Sequence, residues 1–258
     1  MREITSKDNS LIKYTARLQS SAKLRREDKR FVSEGLRVSL EALNGGVEVE
    51  TLFVTDEALS KHGTELKPLI DASREVYRIP QKLMGCICDT KSPQGVVCVL
   101  KALDNNIDFG TINNKYILLE SIQDPSNLGT ILRTADALGV SGVIMTDDCC
   151  DIYSPKVCRG AMGALFRVPF IHIPDAPSFI EEFNKTGNSF AAVVRNASQL
   201  TDADFSGSCL IAVGNEGNGL KDTTVSACKY KVTIPMNGNA ESLNAAIASG
   251  ILMWEMMK

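Results

Sequence analysis

The chain has 258 residues, 44% of them hydrophobic and 23% charged, with a formal net charge of −3 at pH 7. These values suit a globular protein of one large domain or two modest ones, and no apolar run approaches the roughly 20 residues that a membrane-spanning helix needs. The opening Met1-Arg2-Glu3-Ile4 lacks the apolar core of a secretory signal, so the expected location is the cytoplasm, with no membrane partner and with reduced thiols.

Residues 1–37 hold ten Lys and Arg against five acids, in a chain that is otherwise acidic. Lys13, Arg25, Arg26 and Arg30 are the candidates for neutralising nucleic-acid phosphates, and a solvated helix face with ordinary charge scatter is the competing reading. The spacing predicts a helix over 36–43 and a strand over 47–54, followed by strands over 75–79 and 95–100 with helical stretches between. This describes a small α/β unit over residues 1–100. Residues 101–114 (KALDNNIDFGTINN) carry four Asn and two Asp and read as a linker.

From residue 115 onward the alternation becomes regular. A strand at 116–119 precedes a helix with Leu128, Ile131, Leu132, Ala135 and Leu138 on one face, closed by Gly139. Strands follow at 142–146, 168–173, 190–194, 210–213 and 231–234, and a helix from about Ser242 to Met257 ends the chain. Repeated βα units imply a mainly parallel sheet covered on both faces. Ligands of such sheets bind beyond the carboxyl ends of the strands.

Three loops at such positions carry unusual composition. The first is Asp124-Pro-Ser-Asn127-Leu-Gly-Thr-Ile-Leu-Arg133, where Asn127 is placed to cap a helix and Arg133 lies six residues on. The second, Gly214-Asn-Glu216-Gly217-Asn-Gly219, follows an apolar strand. Its GxxGxG spacing is neither the GxGxxG of dinucleotide folds nor a P-loop. The third, Ile234-Pro-Met236-Asn-Gly-Asn-Ala-Glu-Ser242-Leu243-Asn244, joins the last strand to the last helix, with Ser242 or Asn244 near the helix start. Free N–H groups there suit a carboxylate or phosphate. The cysteines show no paired CxxC spacing, and Cys98 and Cys209 stand in apolar runs as small hydrophobes, so no metal is expected. His172, inside VPFIHI, reads as a strand residue.

Taken in order, the NxGxxxRT, GxEGxGL and IPMxGxxxSLN elements resemble the signatures of the SpoU (TrmH-like) branch of the SPOUT RNA methyltransferases. Ser154-Pro-Lys-Val-Cys-Arg-Gly-Ala-Met-Gly163 resembles the same family's intermediate segment. Ser6, Asn9, Ile12-Lys13, Phe31-x-x-Glu34-Gly35 and Ser92-Pro-Gln-Gly95 resemble an N-terminal substrate-binding domain of its ribosomal-RNA members.

The resemblance implies an α/β fold in two parts. A small L30e-like α/β domain over 1–100 precedes a SPOUT domain over 115–258 whose parallel sheet carries a trefoil knot. It also implies a homodimer, S-adenosylmethionine as cofactor, and methyl transfer to a ribose 2′-hydroxyl of ribosomal RNA, most simply 23S. A transfer-RNA methyltransferase and a silent RNA-binding protein of the same fold are the alternatives. Gly214, Gly217, Ile234, Met236 and Leu243 match the cofactor cradle; Asn127, Arg133, Glu216, Ser242 and Asn244 match the catalytic positions. A guanidinium hardly ever gives up its proton, so Arg133 is expected to stabilise a developing alkoxide rather than to act as a base. After Ser242-Leu243-Asn244 the chain continues Ala245-Ala-Ile-Ala248, where the family commonly has Val-Ser/Thr-Val-Ala; the change keeps small residues and bears on packing.

Overall fold

A computed structural model describes residues 1–258. In chain order, β1 (Arg2–Glu3), α1 (Ser10–Ser20), α2 (Ala22–Asp28), β2 (Arg30–Glu34), α3 (Leu36–Asn44), β3 (Val49–Val54), α4 (Asp56–Ala72), β4 (Glu75–Arg78), α5 (Gln81–Ile87) and β5 (Val96–Lys101) come first. There follow β6 (Lys115–Leu119), α6 (Pro125–Leu138), β7 (Gly142–Thr146), α7 (Pro155–Ala161), β8 (Phe170–Ile173), α8 (Ala176–Phe183) and β9 (Asn188–Ala192). The chain closes with β10 (Ser198–Gln199), β11 (Cys209–Val213), α9 (Asp222–Ala227), β12 (Tyr230–Thr233) and α10 (Ala245–Met256). Two compact units result, one of Met1–Asp104 with Asp151–Phe166 and one of Asn105–Cys150 with Arg167–Lys258.

The first unit is built on a mixed five-stranded sheet in the order β1-β4-β3-β5-β2. Alternate strand residues point to opposite faces. Val32, Phe53, Val97 and Val99 accordingly share one apolar cluster with Ile12 and Leu18 of α1 and Met84 and Ile87 of α5. Phe31, one residue before Val32, faces the other way. Its ring stacks on Tyr153 at 4.5 Å and on Phe166 at 6.3 Å. Those contacts explain a difference from the sequence reading, which placed residues 151–166 with the C-terminal domain: by its packing the segment belongs to the first unit. Arg25 ties it further. The guanidinium is only 5% exposed, donates to Asp151 at 2.7 Å and also donates to the backbone carbonyls of Leu18 and Gln19.

The second unit carries seven strands, all paired in parallel, in the order β10-β12-β9-β11-β6-β7-β8. One face is closed by an apolar cluster of Tyr116, Leu118, Ile144, Leu210 and Ala212 with Ile180 and Phe183 of α8. Against the other face lie α6 and α10, which pack on each other. Gly250 of α10 faces Thr134 of α6, where a Cβ would sit in ordinary contact at 3.7 Å. The expected strands appear within about two residues of their predicted bounds, the usual scatter of element ends. The last helix begins at Ala245 rather than Ser242, because Asn244 caps it. Cys98 and Cys209 are buried as expected, and burial pushes the Cys98 thiol up to about 11. His172 lies in β8. No helix is long and apolar enough to cross a membrane.

Candidate functional site

The carboxyl ends of β6, β9, β11 and β12 lie side by side in the second sheet, and the loops leaving three of them are those singled out by composition. The β6 exit is fixed first. Glu120 is buried and accepts from the Lys221 backbone N–H at 2.8 Å and from the Thr224 hydroxyl at 2.6 Å. A buried carboxylate satisfied in this way ties the chain after β11 to the end of β6.

The loop after β11 is shaped by its own side chains. Asn215 accepts from the backbone N–H groups of Gly217 (2.9 Å) and Asn218 (3.2 Å) and donates to the Ser121 carbonyl at 2.8 Å. Backbone hydrogen bonds between Asn215 and Gly219 close the turn. Two of its glycines are demanded by geometry. A Cβ on Gly214 would come within 2.1 Å of the Gly219 carbonyl carbon and the Leu220 nitrogen, and Gly219 sits at φ +71°. Gly217 is different. It has no positive φ, and a Cβ there would meet nothing nearer than the Asn215 side-chain oxygen at 3.4 Å.

Glu216 projects from this loop toward α6. Asn127 donates to it at 2.8 Å, and the backbone N–H groups of Gln123 and Asp124 donate at 3.3 Å each. Desolvation alone would raise the Glu216 carboxyl, but the hydrogen bonds from Asn127 and from backbone N–H groups outweigh it and hold the group below its ordinary value. Asn127 in turn accepts from the Asn244 amide at 2.9 Å. The Asn244 oxygen is left to accept from the N–H groups of Ala246 and Ile247 at the start of α10. One chain of hydrogen bonds, Asn244–Asn127–Glu216, thus joins all three loops.

This corrects one expectation. Asn127 is not the cap of α6: Asp124 caps it, accepting from the Ser126 N–H at 2.8 Å, with Pro125 opening the helix. Pro at the first helical position costs no hydrogen bond, and so Asn127, buried within the first turn, is free to link Glu216 and Asn244.

Beside this network opens a cavity of about 470 Å³ whose lining includes Gly214, Gly217, Ile234, Met236, Ser242 and Leu243. That size lies in the range of small-molecule sites. Of the expected residues, it brings together every cofactor position and also Glu216 and Ser242. Arg133 is not among its lining; it is exposed on α6, roughly 9 Å along the axis from Asn127 by helix rise, with no hydrogen bond or ion pair to the chain. Sequence reasoning passed over Glu120 and Asn215. The signal for Glu120 was present as an acid closing the apolar run Tyr116–Leu119.

The expected RNA contacts fare unevenly. Arg25 is buried and committed to Asp151, and Arg30 is bonded to Glu50 by both its Nε and its Nη2. Neither guanidinium is available as a free surface charge. Lys13 is exposed but paired with Asp8 at 2.9 Å, and Arg26 is exposed without a partner.

The parallel sheet, the three loops and their hydrogen-bonded junction define an α/β ligand site of the SPOUT type. The chain belongs to the SpoU rRNA methylase family, whose model matches residues 114–254, and residues 9–98 match the MRM3-like substrate-binding domain. It is 28% identical to the 23S rRNA (guanosine(2553)-2′-O)-methyltransferase of Bacillus subtilis, over 99% of each chain. To the 23S rRNA (uridine(2479)-2′-O)-methyltransferase of Streptomyces viridochromogenes it is 30% identical, over 100% of this chain and 92% of that one. Among solved structures, the AdoMet-bound rRNA methyltransferase of Sinorhizobium meliloti aligns with a TM-score of 0.87 and 28% identity, covering 99% of this chain and 97% of the other.

Proposed function

We propose that this protein transfers a methyl group from S-adenosylmethionine to a ribose 2′-hydroxyl of RNA, with 23S ribosomal RNA as the substrate and the cytoplasm as the setting. The observation that carries the proposal is the Asn244–Asn127–Glu216 chain at the rim of the 470 Å³ cavity, in a chain of the SpoU family. The cavity fits the cofactor. Gly217 and Gly219 line it, and a Cβ on Gly219 would meet nothing of the chain within 4 Å, so the turn offers bare backbone to a ligand. When bound there, the cofactor supplies an electrophilic methyl group on a sulfonium.

The residues of the chain supply position and charge. Glu216 is held ionised and already accepts four hydrogen bonds, which makes it a poor proton acceptor and a good anchor for Asn127. Its role is positioning. Arg133 offers a permanent positive charge with nothing in its own chain to neutralise it, the kind of group that stabilises a ribose alkoxide as it forms. Ser242, exposed and facing the cavity without a hydrogen bond, is available to the substrate.

A homodimer is part of the proposal. Ile247, Ile251 and Trp254 are 54%, 38% and 58% exposed and lie at i, i+4 and i+7 on α10, one apolar stripe beside the helix that carries Arg133. Burying the same stripe on two copies about a twofold axis would bring Arg133 to the interface. The trefoil knot is our reading of the path from β12, near one sheet edge, back to α10 against β6 and β11. Mapping 2′-O-methyl positions in ribosomal RNA from cells with and without this gene tests the function: one 23S position loses its methyl group if the proposal holds. An unchanged 23S map would overturn the substrate.

A further inference from the structure

Three ionisable side chains line the 470 Å³ cavity: Arg195, Glu216 and Glu241. Glu216 is committed to Asn127 and to the loop backbone. The other two are exposed and make no hydrogen bond or ion pair, either with each other or with any other group of the chain. Arg195 follows β9 and Glu241 follows β12, two strands paired side by side, and both residues line the same cavity. Around them the lining is mixed, with Val193, Val232 and Leu252 among its apolar walls.

With Glu216 committed to its own loop, the cavity keeps one unpartnered cation and one unpartnered anion, a pair that complements a ligand end carrying both signs. S-adenosylmethionine has such an end, its α-carboxylate and α-ammonium. We infer that Arg195 binds the carboxylate and Glu241 the ammonium of the cofactor's amino-acid tail, so that this protein selects its cofactor partly by the zwitterion. Arginine suits the first role because its planar fork meets a carboxylate with two parallel N–H donors. The assignment rests on the cofactor reading above.

The test compares S-adenosylhomocysteine, which keeps the zwitterion, with 5′-methylthioadenosine, which lacks it, by calorimetric titration of the full chain. In Arg195→Ala and in Glu241→Gln, affinity for S-adenosylhomocysteine falls on the order of tenfold, the scale of one hydrogen bond to a charged group. Affinity for methylthioadenosine stays within about twofold on the same scale, and Arg195→Lys recovers part of the loss. Equal losses for both ligands would overturn the assignment, since they would mean a change of cavity shape. So would unchanged affinity for both together with weakened RNA binding, which would make Arg195 a phosphate contact. If the unaltered protein binds neither nucleoside, the cofactor reading fails and takes this assignment with it.

Discussion

At the scale of single residues, the site separates groups that hold from groups that act. Glu216 holds. Its carboxyl lies below its ordinary value of 4.5, so the stability that its ionised form contributes is fully present above that pH and is lost as the pH falls through the lower value it has in the fold. Glu216→Gln should therefore flatten the acid limb of a stability–pH profile, read from urea melts below pH 4.5, and should lower turnover by misplacing Asn127. A mutant profile as steep as the parent's would assign the acid limb to other carboxylates. Arg133 acts. Arg133→Ala should reduce methyl transfer by about 10²–10³, the scale for removing one aimed charge-stabilising group, with cofactor affinity unchanged because the residue does not line the cavity. Near-normal single-turnover rates would remove it from the mechanism. Both residues stand out in the sequence through the resemblance of their motifs to the family's, Glu216 in a Gly-rich loop and Arg133 on the helix α6. Their partners do not. Nothing in the local spacing says that Asn127 bonds across 89 positions to Glu216 and across 117 to Asn244, because such pairings exist only once the strands are side by side.

At the scale of elements, the turn after β11 and the start of α10 make separate demands. Gly214→Ala places a methyl group about 2.1 Å from backbone atoms that cannot move aside, so the turn must open. Loss of S-adenosylhomocysteine binding and a lowered melting temperature are expected together. Gly217→Ala meets only a side-chain oxygen at 3.4 Å and should be close to neutral in stability. The reverse ranking in thermal melts would mean that the loop has a different path. The sequence shows three glycines and no way to tell which is obligatory, since that depends on what each backbone faces. The cap tells a similar story. Ser242 and Asn244 are both good caps by type, and Asn244 takes the role while its amide reaches Asn127. Asn244→Ala should cost about 1 kcal/mol in stability and a further loss in turnover that a purely structural cap would not show.

At the scale of the whole molecule, the basic excess of residues 1–37 divides into two kinds of charge that composition cannot distinguish. Arg25→Ala strands Asp151, which is 16% exposed, and breaking such a pair costs about 3–5 kcal/mol. Its effect should therefore appear in folding. Arg26→Ala should leave stability unchanged and reduce the log–log salt slope of RNA binding by about 0.7–0.9, one phosphate contact. A salt slope unmoved by Arg26→Ala would turn the search to the other unpartnered cations. The two-part α/β architecture was readable from periodicity, because a 3.6-residue rhythm and an apolar run announce helix and strand wherever they occur. The allegiance of residues 151–166 was not, because Tyr153 and Phe166 find Phe31 more than 120 positions away.

That allegiance bears on how such proteins can be recombined. The chain passes between its units at three points, after Asp104, after Cys150 and after Phe166, so the N-terminal unit is not a bead that can be exchanged at a single junction. A chimaera that takes residues 1–104 from a relative while keeping 151–166 from this chain would ask a foreign sheet to accept Tyr153, Phe166 and Asp151 in place of its own fitted set. Transplanting both segments together preserves the aromatic stack and the buried Arg25–Asp151 pair. Specificity inherited by such grafts should therefore travel with the two segments as one heritable piece, and half-grafts should betray themselves first as insoluble protein.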